Sequence, residues 1–147
     1  MKGCFRATPV NGVSAYMPYV RVAVTHNGTK SFEVDALLDT GASINLISMD
    51  SAKVLMNMSP EEIRKGKQLP ISGVGGANST AYGWQVDLQL RATTKSSDTV
   101  VWERVWLYVS ENRVPIAQIL IGQLHGLDSR VFVHLNRSQN RYWLLRS

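Results

Sequence analysis

"EVDALLDTGASINLIS", residues 33–48, is the stretch on which the fold turns. Its front alternates, then becomes continuously apolar at Ala36-Leu37-Leu38, the pattern of a strand covered on both faces. Asp39 follows at once, and Thr40, Gly41, Ala42 and Ser43 after it are all small. A second apolar run, Ile44-Asn45-Leu46-Ile47, then begins and reads as another strand. Asp and Gly are turn formers, so Asp-Thr-Gly by itself is also an ordinary turn. Set between two apolar runs, it is expected to be a buried turn. A carboxylate there is costly unless it is hydrogen-bonded or paired. Thr40 offers a hydroxyl to a neighbouring backbone, Gly41 permits close approach of another chain or ligand, and Ala42 and Ser43 keep the space above open.

Upstream, "YVRVAVT" (19–25) alternates as a valine-rich strand, and Asn27-Gly28 is a strong tight-hairpin signal leading back into residues 31–39. Downstream, residues 48–58 shift to helical spacing with Ser48 as N-cap. A second helix start follows, with Ser59 as cap, Pro60 at the first helical position and Glu62 three residues after the cap. "PISGVGGANSTAYG" (70–83) is small and glycine-rich. "WQVDLQLRA" (84–92) and "VVWERVWLYVS" (100–110) read as strands, with Trp102 and Trp106 on one face by their even spacing. "AQILIGQ" (117–123) is a short buried run, "LHGLDS" (124–129) a candidate short helix, and "RVFVHL" and "RYWLL" a closing hairpin around "NRSQN". Residues 1–15 read as a lead-in with little periodicity. The sum is a mostly-β domain with one or two short helices. "ALLDTG" and "ILIG" echo one another faintly.

The chain has 147 residues, enough for one domain with a proper core. Its formal net charge of +5 is of the sign that attracts nucleic acid or acidic membranes. The basic residues are scattered, with a mild cluster at Arg130, Arg137, Arg141 and Arg146, so the charge reads as a solvated surface and nucleic acid is not the expected partner. The single cysteine, Cys4, excludes an intrachain disulfide and a Cys-rich metal site. His26, beside the hairpin turn, reads as a surface residue. His125 and His134 stand apart without cysteine partners, so no zinc site is expected. No nucleophile-elbow pattern is present. No apolar run approaches the ~20 residues of a membrane-spanning helix, and the first residues lack a signal-peptide core.

"ALLDTGAS" (36–43) resembles the active-site loop of retropepsin-like aspartic proteases, the single-domain relatives of pepsin found in retroviruses, retroelements and some cellular proteins. The order of the other parts is similar too. "MPYVRVAVTHNGTKSFEVDALLDTG" (17–41) looks like the hairpin entering the active site, "ISGVGGANSTAYG" (71–83) lies where that family carries its flap, and "ILIG" (119–122) where it has a second apolar-Gly element. The resemblance implies a retropepsin-like closed β-barrel with one half-site per chain, a protease domain over 16–147 and a flap at about 70–83. It implies an aspartic endopeptidase without metal or organic cofactor, acting on a peptide or polyprotein. The location is left open by the sequence, and without a signal-peptide core a soluble protein of the cell interior or of a virus or retroelement particle is expected ahead of a secreted one.

The family's chemistry uses two carboxylates that share one proton. One acts as base on a water and the other polarises the scissile carbonyl. Aspartic proteases are the established example of titrations split by such crowding. The chain has one Asp-Thr-Gly, and Asp128-Ser129-Arg130 lacks the glycine and follows no buried strand. The resemblance therefore implies a homodimer in which Asp39 meets its symmetry mate on a two-fold axis. Asp39 is the expected catalytic residue, with Thr40 and Gly41 supporting the loop. Leu38, Ala42, Ser43 and the flap-tip residues Gly73, Val74, Gly75, Gly76 and Ala77 are the expected substrate contacts, and Tyr82 at the flap base is a further candidate for the pocket lining. A catalytically silent dimerisation or peptide-binding module is the alternative. Three charges common in viral members are replaced together by Met17, Ser43 and Gln123, and a neutral Ser43–Gln123 hydrogen bond is the expected substitute. The stretch 48–70 and the tail after Gln123 are longer than compact viral members need.

Overall fold

Asn27 and Gly28 take φ of 49° and 77°, the left-handed values that a two-residue hairpin demands. The turn folds the chain back on itself, and the strands on either side begin a barrel. The computed structural model describes residues 2–10, 13–39, 41–72, 78–91, 99–114, 117–122, 131–136 and 141–146. The strands are β1 (Lys2–Val10), β2 (Val13–His26), β3 (Thr29–Lys30), β4 (Val34–Leu38), β5 (Leu46–Ser48), β6 (Lys67–Ile71), β7 (Ser79–Arg91), β8 (Thr99–Ser110), β9 (Ile119–Ile121), β10 (Val131–Asn136) and β11 (Arg141–Arg146). Two short helices, α1 (Met49–Leu55) and α2 (Pro60–Ile63), lie between β5 and β6 in sequence.

Six strands close on themselves. β2 pairs antiparallel with β4 on one edge and with β7 on the other, so Val22 faces both Val34 and Leu90. From β4 the ladder passes to β9 in parallel, to β5 antiparallel, to β8 in parallel, and back through the long antiparallel β8–β7 pair. Closure leaves these strands without free edges. The interior is apolar, including Val20, Val22, Val24, Ala36, Leu38, Ile47, Leu88, Leu107, Ile119 and Ile121. Ala36, Leu37 and Leu38 are all at most 4% exposed, as their unbroken apolar run requires.

The helices start where the sequence signals them. Ser48 caps α1 by accepting from the Ser51 N–H, and Ser59 and Glu62 form a reciprocal capping box on α2 with Pro60 at its start. Ala52, Leu55, Met56 and Ile63 join the barrel's apolar cluster. Among the described residues no helix is long and apolar enough to cross a membrane.

Four sequence readings need correction. The lead-in contains β1, whose first residues pair with β11 and whose remainder pairs with β2. Pairing with the next strand and with the C-terminal strand organises a segment that lacks a periodic pattern of its own. His26 is 9% exposed, because its ring packs edge-on to Trp84 of β7 at 5.7 Å. The strand that enters the glycine-rich stretch starts before residue 70, since β6 begins at Lys67 and pairs with Ser79–Gly83. Trp102 and Trp106 do not share a face. Val86 pairs with Val105 and Leu88 with Trp102, so Glu103 and Arg104 together oppose Asp87. This bulge puts Arg104 at φ 51°, with its N–H donating to Asp87 Oδ1 at 2.9 Å. An extra residue flips the alternation, so Trp102 enters the barrel while Trp106 packs on a second apolar cluster.

Candidate active site

β4 and β9 run parallel, with Leu37 beside Leu120 and Leu38 beside Ile121. Their ends therefore deliver Asp39 and Gly122 side by side. The Asp39 N–H donates to the Ile121 carbonyl at 2.9 Å, extending the ladder to the carboxylate-bearing residue itself. Beyond it the chain turns, with the Ala42 N–H donating to the Asp39 carbonyl at 3.1 Å. The Gly41 N–H donates to Asp39 Oδ1 at 3.0 Å. One carboxylate oxygen is thus held by backbone, while the residue stays half-buried.

The loop is not the buried turn that its flanking apolar runs suggest. Gly41 and Ser43 are exposed and Ala42 is half-buried. The apolar runs belong to β4 and β5, which dive into the barrel on either side and leave the turn between them at the surface. Leu38 is 2% exposed within the core. Thr40, the flap-tip residues 73–77, Gln123 and Asp128 lie outside the described residues, as does the expected Ser43–Gln123 hydrogen bond. Tyr82 is half-buried and packs against the barrel cluster.

Beneath the exposed loop the structure is tight. Asn45 is fully buried. Its Oδ1 accepts from the Gly122 N–H at 3.0 Å and its Nδ2 donates to the Trp106 carbonyl at 3.1 Å. Its own carbonyl accepts from the Tyr108 N–H at 3.0 Å. Gly122 presses against the chain at Ile44 so closely that a Cβ there would sit 2.3 Å from the Ile44 carbonyl oxygen. Sequence reasoning passed over Asn45, although a lone amide in the run Ile-Asn-Leu-Ile was a signal. A buried amide must find partners, and here it ties β5, β8 and β9 together.

A second apolar cluster lies apart from the barrel interior. Leu46, Ala81, Tyr108 and Val114 are its buried members, with Ile44, Leu69, Ile71, Trp106 and Leu120 packed around them. It joins the residue directly after the Asp39 loop to the β6–β7 hairpin and to β9. Trp106 stacks on Tyr108 at 6.2 Å, and the Lys67 ammonium lies 5.0 Å from the Trp106 ring centre. Burial pushes the Tyr108 phenol above its ordinary range. A separate open groove, lined by Phe32, Val54, Arg64, Glu111 and Arg113 among others, has neither Asp39 nor loop residues 41–45 in its lining. Among the described residues no group of three or more His, Cys, Asp or Glu side chains is placed to hold a metal ion.

The fold matches that of a retropepsin-like aspartic protease from Rickettsia conorii at TM-score 0.60 and 14% identity, covering 98% of this chain and 89% of that one. EIAV protease complexed with the inhibitor HBY-793 aligns at TM-score 0.40 and 19% identity, over 73% of this chain and 82% of that one. No family model and no curated protein matches the sequence. The chain has a retropepsin-like fold.

Proposed function

We propose that the chain is an aspartic endopeptidase that works as a homodimer, with Asp39 from each subunit sharing one proton and activating a water. The observation that carries this reading is the placement of Asp39. It stands at the paired ends of β4 and β9 on a retropepsin-like fold, half-buried, with one carboxylate oxygen already held by the Gly41 N–H. The exposed, small-residue surface of Gly41 and Ser43 supports a facing copy of the same loop. One subunit supplies one carboxylate, and a two-fold axis doubles it at no cost in sequence.

Thr40 braces the loop across the dimer. The β6–β7 hairpin is the stem of a flap whose tip is residues 73–77, and glycines there suit a cover that opens and closes on the substrate. An extended peptide lies between loop and flap, held by backbone hydrogen bonds. The apolar side chains of Ile44, Ile71 and Leu120 lie on the cluster that joins loop, hairpin and β9, which favours apolar residues in that peptide.

The test is cleavage of a peptide library at mildly acidic pH by wild type and Asp39→Asn, together with the mass of the active species. Cleavage that needs Asp39 and runs with the dimer is expected. A folded dimer that cuts nothing would leave a silent binding module, and cleavage unaffected by Asp39→Asn would end the proposed mechanism.

A further inference from the structure

We infer that Asn45 is a positioning residue for Asp39, acting through the single peptide plane between Ile121 and Gly122. The catalytic consequence rests on the protease reading above; the structural coupling does not. The carbonyl of that plane, Ile121 O, accepts from the Asp39 N–H at 2.9 Å. The N–H of the same plane, on Gly122, donates to Asn45 Oδ1 at 3.0 Å. Carbonyl and N–H of a trans peptide point in opposite directions, so the plane is clamped between Asp39 on one side and the Asn45 amide on the other. The far end of that amide is anchored in turn, since Nδ2 donates to the Trp106 carbonyl at 3.1 Å.

The result is a chain of amides aligned head to tail. It runs from the Asp39 N–H through the Ile121–Gly122 peptide and the Asn45 side chain to β8. Each bond polarises the next in a region closed to water. Gly122 also lies against the backbone of Ile44 with no room even for a methyl group. Among the described residues the loop makes two bonds of its own, Gly41 N–H to Asp39 Oδ1 and Ala42 N–H to Asp39 O. Both hold the turn to Asp39 and neither ties Asp39 to the barrel. Beyond its covalent link to Leu38 of β4, Asp39 is tied to the barrel by its hydrogen bond to the Ile121–Gly122 plane, and the side chain that holds the other face of that plane is Asn45.

The experiment compares wild type, Asn45→Leu and Asn45→Thr. Leucine keeps the bulk and removes both hydrogen bonds. Threonine keeps a hydroxyl that can accept from Gly122. In the wild type, amide exchange followed by NMR is expected to give Asp39 and Gly122 protection factors within about threefold of one another, since one opening frees both. Clearly unequal protection would overturn the clamp, and this arm stands whether or not the protein cleaves peptides. In folded Asn45→Leu, both amides should lose protection while the β7–β8 ladder keeps it. In the same variant kcat should fall by between about tenfold and a hundredfold, with KM within about threefold of wild type. Asn45→Thr should recover most of the lost kcat. A folded leucine variant with wild-type kcat and a protected Asp39 amide would refute the inference. So would a kcat that follows thermal stability across the variants without rescue by threonine. If the leucine variant does not fold, the wild-type exchange and the threonine variant decide. A wild type that cleaves nothing counts against the protease reading, and the exchange data then judge the clamp by themselves.

Discussion

β4 and β9 lie side by side in parallel, yet their ends are finished in opposite ways. β4 ends in Asp39, followed by a turn that is exposed at Gly41 and Ser43 and is held by two short-range hydrogen bonds centred on Asp39. β9 is followed by Gly122, which is buried, locked by a buried amide and pressed against Ile44. The contrast separates two jobs. The first end leaves a carboxylate accessible and an uncovered surface for something else to meet. The second has its partners within the chain and serves as the platform. If Asp39 is catalytic as proposed, it has a rigid base and an open front, which adjacent parallel strands supply from neighbouring residues.

The sharpest way to break this comparison is Asp39→Asn. If the open end is functional, peptide cleavage should drop by about 10²–10⁴-fold in kcat/KM, while the thermal midpoint stays close to wild type. A large loss of stability instead would make Asp39 part of the platform. Gly122→Ala tests the other side. With its Cβ driven to 2.3 Å from the Ile44 oxygen, it should destabilise by about 2–3 kcal/mol or more, measured by urea unfolding. An unchanged midpoint would mean that the crossing is looser than its packing indicates.

Gly41→Ala is the matched control. A Cβ there meets Asp39 Oδ1 at an ordinary 3.4 Å, so stability should move by less than about 1 kcal/mol. Equal costs at Gly41 and Gly122 would erase the distinction. The smallest effect concerns Tyr108, whose N–H supports the Asn45 carbonyl. Its phenol is held neutral by burial, with a pKa raised above its ordinary value, which is about 10. The unfolded chain ionises this phenol first, so the stability it contributes is intact below about pH 10 and is lost as pH rises through the raised folded value. Tyr108→Phe should flatten that part of the alkaline fall in the urea midpoint, and an unchanged slope would remove Tyr108 as its source.

Much of this was readable in advance where the cause is local. Asn27-Gly28 needs left-handed backbone, Ser59-Pro60-Glu62 needs a helix start, and Ala36-Leu37-Leu38 needs cover on both faces, so each motif announces its structure. Errors arose where one distant contact outweighed a local rule. The even spacing of Trp102 and Trp106 put them on one face until the two-for-one pairing opposite Asp87 reversed the parity. His26 looked like a hairpin surface residue because Trp84, which covers it, is 58 positions away in sequence. Asn45 went unnoticed because its partners, on Trp106 and Gly122, come from other strands.

The order of residues by itself determined that a carboxylate would follow a fully covered strand, that small residues would follow it, and that a second apolar-Gly element would exist elsewhere in the chain. Those are consequences of periodicity, side-chain size and backbone preference, all of which act over a few residues. Only the tertiary structure decided that the Asp39 turn faces outward and that the Ile121–Gly122 peptide lies between Asp39 and Asn45. Barrel closure pairs residues of β4, β5, β8 and β9 from positions up to 83 residues apart. A hydrogen bond or a steric stop across that distance leaves no periodic trace in the chain that makes it.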